Sequence, residues 1–124
     1  MSILYSFKKQ PVIKVTAEEF YQDFDVVKIQ WWLADCSYYP DLYWARLRIF
    51  SNGKADVLFE NEEVMYGFEN EEFAGYFIAE DEFSKFENID EDDRNDLEIP
   101  KDAVIESPNW ENKEVNNFEY IGTD

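Results

Sequence analysis

The amino-acid types that carry most catalytic chemistry are scarce in this chain. Its 124 residues include no histidine and a single cysteine, Cys36, which argues against Ser-His-Asp and Cys-His catalysis, thiolate zinc sites and redox cysteine pairs. Its four glycines form no phosphate-binding loop. Among 29 acidic residues no spacing singles out a catalytic carboxylate pair. We therefore predict a protein that is not an enzyme and that uses no cofactor.

Calcium binding is the metal chemistry that the acidic run at residues 90–93 suggests. An EF-hand loop needs glycine at its sixth position and glutamate at its twelfth. Counted from Asp90, the fifth residue is Arg94 and the sixth is Asn95, so the pattern fails. We predict no metal site, and weak calcium binding stays open as an alternative function.

The acidic residues are concentrated in one part of the chain. Residues 60–98 hold 16 acidic and two basic residues, whereas residues 1–59 hold seven of each. Such a surface repels nucleic acid and anionic membranes, and it attracts a basic protein at a salt-dependent rate. A surface that serves only solubility is the alternative. The acids that we expect to contact a basic partner are Glu80, Asp81, Glu82, Asp90, Asp92 and Asp93.

A second candidate binding surface lies on a β-hairpin predicted over residues 43–59, YWARLRIFSNGKADVLF. Alternate residues of its first strand are apolar, which is typical of a strand with one face in the core. Trp and Arg dominate the hot spots of protein interfaces. Two arrangements stay open, a face that binds a partner or a second copy, and a face covered by the C-terminal tail. The residues of this face are Trp44, Arg46, Arg48 and Phe50, and we expect Trp32 to join them.

The register of the hairpin follows from its own residues. A two-residue loop, the usual form for an Asn-Gly pair, would set apolar residues opposite polar ones. A three-residue loop ending at Gly53, with positive φ there, sets Ile49 opposite Ala55 and Arg48 opposite Asp56. Because a slip of one residue moves every side chain to the other face, we predict the three-residue loop, which keeps one face apolar.

Two helices are predicted on either side of the strands. Thr16 and Glu19 form a capping box for a short helix that ends near Phe24. Asn70 can cap a longer helix, whose stripe of Phe residues, extended to Phe83 and Phe86, would cover one sheet face. The glycine inside this helix, at position 75, would let it approach the sheet closely.

Together these elements predict an α+β fold with an antiparallel four-stranded meander over about residues 26–68. One main helix packs on one face of the sheet, and the N-terminal helix is short. We expect a single domain over residues 1–124, with an ordered body from about residue 12 to 100 and an irregular tail at 101–124. Residues 12–15 are predicted as a short extended lead-in, and residues 89–96 as an exposed loop. The short apolar runs and the single cysteine favour a cytoplasmic protein.

Two runs, YWARLRIFSNGKADVLF and YGFENEEFAGYFIAEDEF, resemble small acidic bacterial single-domain proteins, several of which are immunity proteins that neutralise a cognate toxin. The resemblance covers roughly residues 43–100 and carries over no contact residue. It implies a stoichiometric inhibitor of a basic toxin or nuclease. The alternative, from another class, is a structural or homo-oligomeric module in which the Trp/Arg face forms a dimer.

Overall fold

The computed structural model describes residues 7–9, 15–22 and 24–123. In these ranges the strands are β1 (Phe7–Lys9), β2 (Val26–Ala34), β3 (Trp44–Phe50), β4 (Ala55–Phe59), β5 (Val64–Phe68), β6 (Phe83–Lys85) and β7 (Asn117–Thr123). The helices are α1 (Ala17–Phe20), α2 (Glu71–Glu80) and α3 (Glu91–Asp96), and Phe86–Asn88 form a 3₁₀ turn. The extended lead-in predicted at residues 12–15 lies, apart from residue 15, outside the described residues.

The described strands form one mixed sheet in the order β1-β7-β5-β4-β3-β2-β6. At its centre β2 to β5 are consecutive antiparallel neighbours, as short connections favour. The predicted α+β class is confirmed, but the four-stranded antiparallel sheet is not matched in detail. β7 lies parallel to β5, β1 pairs with the end of β7, and β6 pairs with the end of β2.

The predicted hairpin register is confirmed. Arg48 pairs with Asp56 and Ile49 pairs with Ala55 across β3 and β4. Gly53 has a φ of 90°, a conformation that residues with a Cβ adopt only at a cost. The apolar side chains of the hairpin therefore all lie on the face of the sheet that contacts α2.

α2 packs on the apolar face of the sheet and begins as predicted. The side-chain oxygen of Asn70 accepts a backbone N–H of the first turn at 2.9 Å. Ala74 and Ile78 are fully buried, whereas Phe77 is only half-buried. The ring of Phe77 contacts three aromatic neighbours, namely Phe59, Tyr66 and Phe68.

α2 ends earlier than the spacing of its Phe residues predicts. It stops at Glu80, so that Phe83 belongs to β6 and Phe86 to the 3₁₀ turn. The chain leaves the helix through Glu82 at a φ of 63°, and a left-handed residue after the last turn terminates a helix. Glycine is the usual residue there, so a glutamate gave no stop signal in the sequence.

Residues 89–96, predicted as an exposed loop, contain α3. Asp90 and Asp93 cap this helix reciprocally, since the carboxylate of each accepts the other's backbone N–H at 2.9 Å. Aspartates here replace the Ser/Thr and Glu/Gln of the usual capping box. The helix also lacks the apolar periodicity by which a helix is recognised in a sequence, and for both reasons it was missed.

α1 begins at the predicted capping box and is shorter than predicted. Thr16 Oγ1 accepts the backbone N–H of Glu19, and Glu19 Oε1 accepts that of Thr16, both at 3.2 Å. The helix ends at Phe20 rather than near Phe24. Phe20 is fully buried, and the chain turns after it so that the next aromatic side chain also packs onto the sheet.

The tail predicted to be irregular, residues 101–124, contains β7. Met65 of β5 pairs with Phe118 of β7, and Ile121 is buried in the core beneath α2. Gly67 makes room for this arrangement, because a Cβ there would lie 2.6 Å from the Phe118 ring. Parallel pairing with a strand so distant in sequence leaves no local signal, which is why β7 was not predicted.

Burial predicts which residue of α2 matters most for stability. We expect Ile78→Ala to lower the free energy of unfolding by about 2–5 kcal/mol, because it removes a fully buried side chain. Phe77→Ala should cost less than the roughly 3–5 kcal/mol typical of a fully buried phenylalanine, because its ring is partly exposed. Urea unfolding of both variants tests this, and a larger loss for Phe77→Ala would mean that α2 is rotated on the sheet.

Candidate functional site

The second face of the hairpin, considered above as a binding surface, is buried. The exposed fractions of Trp44, Arg46, Arg48 and Phe50 are 7%, 0%, 2% and 1%. The covering residues come from α1 and from the segment around Trp110, which leads into β7. Of the two arrangements left open by the sequence, the chain adopts the covered one. These four side chains therefore offer no surface to a partner or to a second copy.

Trp32 does not join this face, contrary to the prediction. It pairs with Ala45 and therefore points to the α2 side of the sheet. Its neighbour Trp31, opposite Arg46, lies on the second face, with its ring 4.7 Å from that of Trp110. The register of β2 depends on the irregular loop before β3, which the sequence does not resolve, and a one-residue difference exchanges the two faces.

A polar network is built into the buried face around Asp56. Arg48 donates to both carboxylate oxygens of Asp56, from Nε at 3.0 Å and from Nη2 at 2.6 Å. The hydroxyl of Tyr21 donates to Asp56 Oδ2 at 2.6 Å. Burial lowers the pKa of Arg48, but its hydrogen bond and ion pair with Asp56 outweigh this effect and raise it. Burial and the negative charge of Asp56 raise the pKa of Tyr21.

Arg46 is held by backbone oxygens rather than by a carboxylate. Its Nη1 donates to the carbonyls of Trp110, Glu111 and Lys113 at 3.0, 3.1 and 2.7 Å. Burial, followed by the positive charge of Arg48, lowers the pKa of Arg46 to about 10. The guanidinium therefore stays charged at neutral pH and fastens the segment before β7 to β3.

The buried ion pair predicts a large effect of neutralising its acid. We expect Asp56→Asn to lower the free energy of unfolding by about 3–5 kcal/mol, because it leaves the buried charge of Arg48 with only the largely exposed carboxylate of Glu114, 3.9 Å away, as a counter-ion. The double variant Arg48→Met/Asp56→Leu should recover most of this loss, since it removes both charges.

The matched control for this experiment is Tyr21→Phe, which removes one hydrogen bond to the same carboxylate. Its expected cost is roughly 1.5–3 kcal/mol, the range for a bond to a charged group. Chemical unfolding of the three variants shows how much of the lost stability comes from the ion pair and how much from the other hydrogen bonds of the network. Equal losses for Asp56→Asn and Tyr21→Phe would mean that the ion pair itself contributes little.

The tyrosines predict loss of stability at alkaline pH. Burial and the hydrogen bond to Glu69 raise the pKa of Tyr120 to about 12, and the pKa of Tyr21 is raised as well. A group with a raised folded-state pKa stabilises the fold below its unfolded pKa, here about 10, and this contribution is lost as pH rises towards the folded value. We expect stability to fall above about pH 10, and Tyr21→Phe to weaken that dependence. Unfolding free energies measured across this range would contradict us if both proteins showed the same slope.

The first group of predicted contact acids is exposed at the C-terminal end of α2. Glu80, Asp81 and Glu82 are exposed and, within the described residues, form no salt bridge. The last turn of α2 contains no basic residue, so these negative charges face the negative end of the helix dipole. Their position is electrostatically unfavourable for the helix.

Glu62, in the turn between β4 and β5, extends this acidic surface. Partial burial and the charge of Glu62 raise the pKa of Asp81. Glu62 Oε1 also accepts the hydroxyl of Tyr66 at 2.7 Å, and burial followed by the effect of Glu62 raises the pKa of that phenol. We call Glu62, Glu80, Asp81 and Glu82 the acidic patch. Glu62 could not be recognised in the sequence as part of this surface, because only the fold brings it beside α2.

The second group of predicted contact acids has a structural role. Asp90 and Asp93 cap α3, and Asp92 lies in its first turn, where negative charge stabilises a helix. Arg94 lies in the last turn, again as the dipole favours. The charges of α3 are therefore accounted for by helix stability, unlike those at the end of α2.

The two acidic groups lie at the same end of the sheet. The backbone N–H of Asp35 donates to the carbonyl of Glu82 at 2.8 Å, and Ser84 Oγ donates to Asp35 Oδ1 at 2.7 Å. Asp35, Asp93 and Asp96 line a shallow cavity of about 200 Å³ here. Among the described residues no group of three or more His, Cys, Asp or Glu side chains is placed to hold a metal ion.

Comparison of the chain with protein-family models, with curated proteins and with solved structures found no match. Within the described ranges, no helix combines the length and the apolar character needed to cross a bilayer.

Proposed function

We propose that this protein is a cytoplasmic, non-enzymatic inhibitor of immunity type, which binds a basic toxin or nuclease through its acidic patch. The observation that carries the proposal is the position of Glu80, Asp81 and Glu82. Three adjacent acids follow each other at the negative end of α2, without a basic residue in the last turn. Selection for stability alone does not favour this arrangement.

The patch also has the composition of a protein-binding surface. Tyr66 is half-buried beside Glu62 and supplies aromatic contact area, which is enriched in interfaces. Tyr43 is half-buried, and burial and the charges of Glu62 and Asp81 raise the pKa of its phenol. Carboxylates around two tyrosines suit lysine and arginine side chains, which combine charge with cation–π contacts.

The alternatives lose support on specific grounds. A homodimer through the Trp/Arg face would need side chains that the protein buries in its own core. Calcium binding through residues 90–93 would compete with the capping of α3, because the carboxylates of Asp90 and Asp93 already accept backbone N–H groups.

The proposal predicts that the acidic patch governs the association rate and opposes stability. A partner is first captured with the purified protein, and its association rate is then measured at low and high salt. We expect the variant Glu80→Gln/Asp81→Asn/Glu82→Gln to bind at least about tenfold more slowly at low salt, since charge steering raises association rates by 10–10³. The same variant should be more stable, by roughly 0.3–1 kcal/mol for each acid removed from the helix end.

A matched control neutralises three exposed acids outside residues 60–98, namely Asp25, Asp102 and Glu106. It changes the net charge equally, but should leave the association rate at physiological salt within about twofold, because screening there limits each charge to a range of about 8 Å. Equal rates for the wild type and both variants would show that the patch is only a solubilising surface.

A further inference from the structure

The loop between β2 and β3, residues 35–42, exposes two adjacent aromatic side chains, and we call it the tyrosine loop. Tyr38 is 52% exposed and Tyr39 is 37% exposed. Within the described part of the chain, neither side chain makes a hydrogen bond, an ion pair or a ring contact. By contrast, the hydroxyls of Tyr21, Tyr66 and Tyr120 each donate to a carboxylate. The fold thus leaves two phenol rings, a side-chain type enriched in protein interfaces, open to another molecule.

The backbone of the tyrosine loop is held in place by the body of the protein. The N–H of Tyr39 donates to the carbonyl of Leu97 at 2.8 Å, and the N–H of Asp41 donates to the carbonyl of Tyr38 at 2.8 Å. Leu42, at the end of the loop, packs against the buried cluster that contains Leu97. Because the loop is already ordered, a partner that binds it does not have to meet the entropic cost of ordering it.

Four acidic side chains lie in or next to the tyrosine loop. Asp35 and Asp41 belong to it, and Asp96 and Glu98 lie on either side of Leu97, whose carbonyl holds the loop. All four acids are exposed, and within the described residues none forms a salt bridge. The loop itself contains no basic residue. The electrostatic potential at the two rings is therefore negative, which favours a cation as the group that contacts them.

The tyrosine loop adjoins the acidic patch at both of its ends. At its start, the N–H of Asp35 donates to the carbonyl of Glu82 at 2.8 Å. Just after its end, the centroid of the Tyr43 ring lies 5.7 Å from that of Phe83, the residue that follows Glu82. A partner that docks on the acidic patch therefore reaches the two exposed tyrosines without a change in the fold.

Arginine is the cationic side chain that best suits a surface of tyrosines and carboxylates. Its planar guanidinium can stack on a ring while it pairs with a carboxylate, whereas the ammonium of lysine is a compact and strongly hydrated point charge. The core of this protein contains the same combination, since Arg48 donates to both carboxylate oxygens of Asp56 and lies 6.0 Å from the centroid of the Tyr21 ring. A second copy of the chain, with its net charge of −18, would be repelled.

We propose that the tyrosine loop binds an arginine-bearing segment of the basic partner, with a guanidinium stacked on Tyr38 or Tyr39 and paired with one of the four adjacent carboxylates. The inference rests on the proposed function for the basic character of the partner. It adds selectivity, because a partner that presents arginine is preferred to one that presents lysine at the same net charge. The acidic patch governs association through long-range attraction, whereas the stacked contacts exist only in the complex and slow its dissociation.

The test uses two defined probes of equal charge, the capped peptides Arg-Gly-Arg-Gly-Arg-Gly-Arg and Lys-Gly-Lys-Gly-Lys-Gly-Lys. Each is titrated calorimetrically into the intact protein at low salt. We expect the arginine peptide to bind about three- to fivefold more tightly, the gain of one exposed contact between a cation and a ring. It should also shift the ring resonances of Tyr38 and Tyr39.

Variants of the tyrosine loop show whether its rings are responsible. Tyr38→Ala/Tyr39→Ala should abolish the preference for the arginine peptide, whereas Tyr38→Phe/Tyr39→Phe keeps both rings and should retain it. Urea unfolding checks that each variant is folded, and it should be nearly unchanged because both side chains are exposed. Tyr76→Ala is the matched control, since it removes a tyrosine on α2 that is 40% exposed, and it should leave the preference intact.

Three results would overturn the inference. They are no binding of the arginine peptide, equal affinity of the two peptides, and a preference for arginine that survives Tyr38→Ala/Tyr39→Ala. The triple variant of the acidic patch separates this inference from the proposed function. If the association rate of the captured partner depends on the patch but the two peptides bind equally, the proposed function stands and the arginine site falls. If the tyrosine loop selects arginine while the association rate of the captured partner does not depend on the patch, the reverse holds.

Discussion

Two guanidinium groups enclosed on one strand constrain the rest of the molecule. Arg46 and Arg48 lie at 0% and 2% exposure, where a charge without partners would cost several kcal/mol. The two side chains are stabilised in different ways. Arg48 pairs with a carboxylate on the next strand, whereas Arg46 donates to three backbone carbonyls of the C-terminal segment. The segment before β7 is therefore a structural part of the domain, because its carbonyls accept the hydrogen bonds of Arg46 Nη1.

The interior and the surface use charge in opposite ways. In the buried face, Asp56 accepts hydrogen bonds from Arg48 and Tyr21. Its negative charge is thus balanced by the positive charge of Arg48. At the end of α2, Glu80, Asp81 and Glu82 form no salt bridge within the described residues, and their charge opposes the helix dipole. The fold thus pairs an acid with a base where burial requires it. The acids at the end of α2 form no such pair, and they are therefore the ones that bear on function.

The features that could be predicted are those determined by residues close together in the sequence. The hairpin register, with Gly53 at its turn, and the cap of α2 at Asn70 depend on neighbouring residues and were predicted from them. Features that depend on distant pairing were not, such as the face of Trp32 and the strand β7. The candidate site divides in the same way, because the acids of α2 are adjacent in sequence whereas Glu62 joins them only through the fold. The burial of the Trp/Arg face stayed open for the same reason, as only the folded chain shows what covers it.

The bonds of Arg46 to the C-terminal segment also bear on the order in which the protein matures during synthesis. Its three carbonyl partners lie 64, 65 and 67 residues further along the chain. A nascent chain that has already formed the hairpin must hold this guanidinium in water until residue 113 has left the ribosome. The sheet can therefore close over its second face only late in translation, and a chain stalled before that point would expose a cationic, aromatic surface that the finished protein never displays.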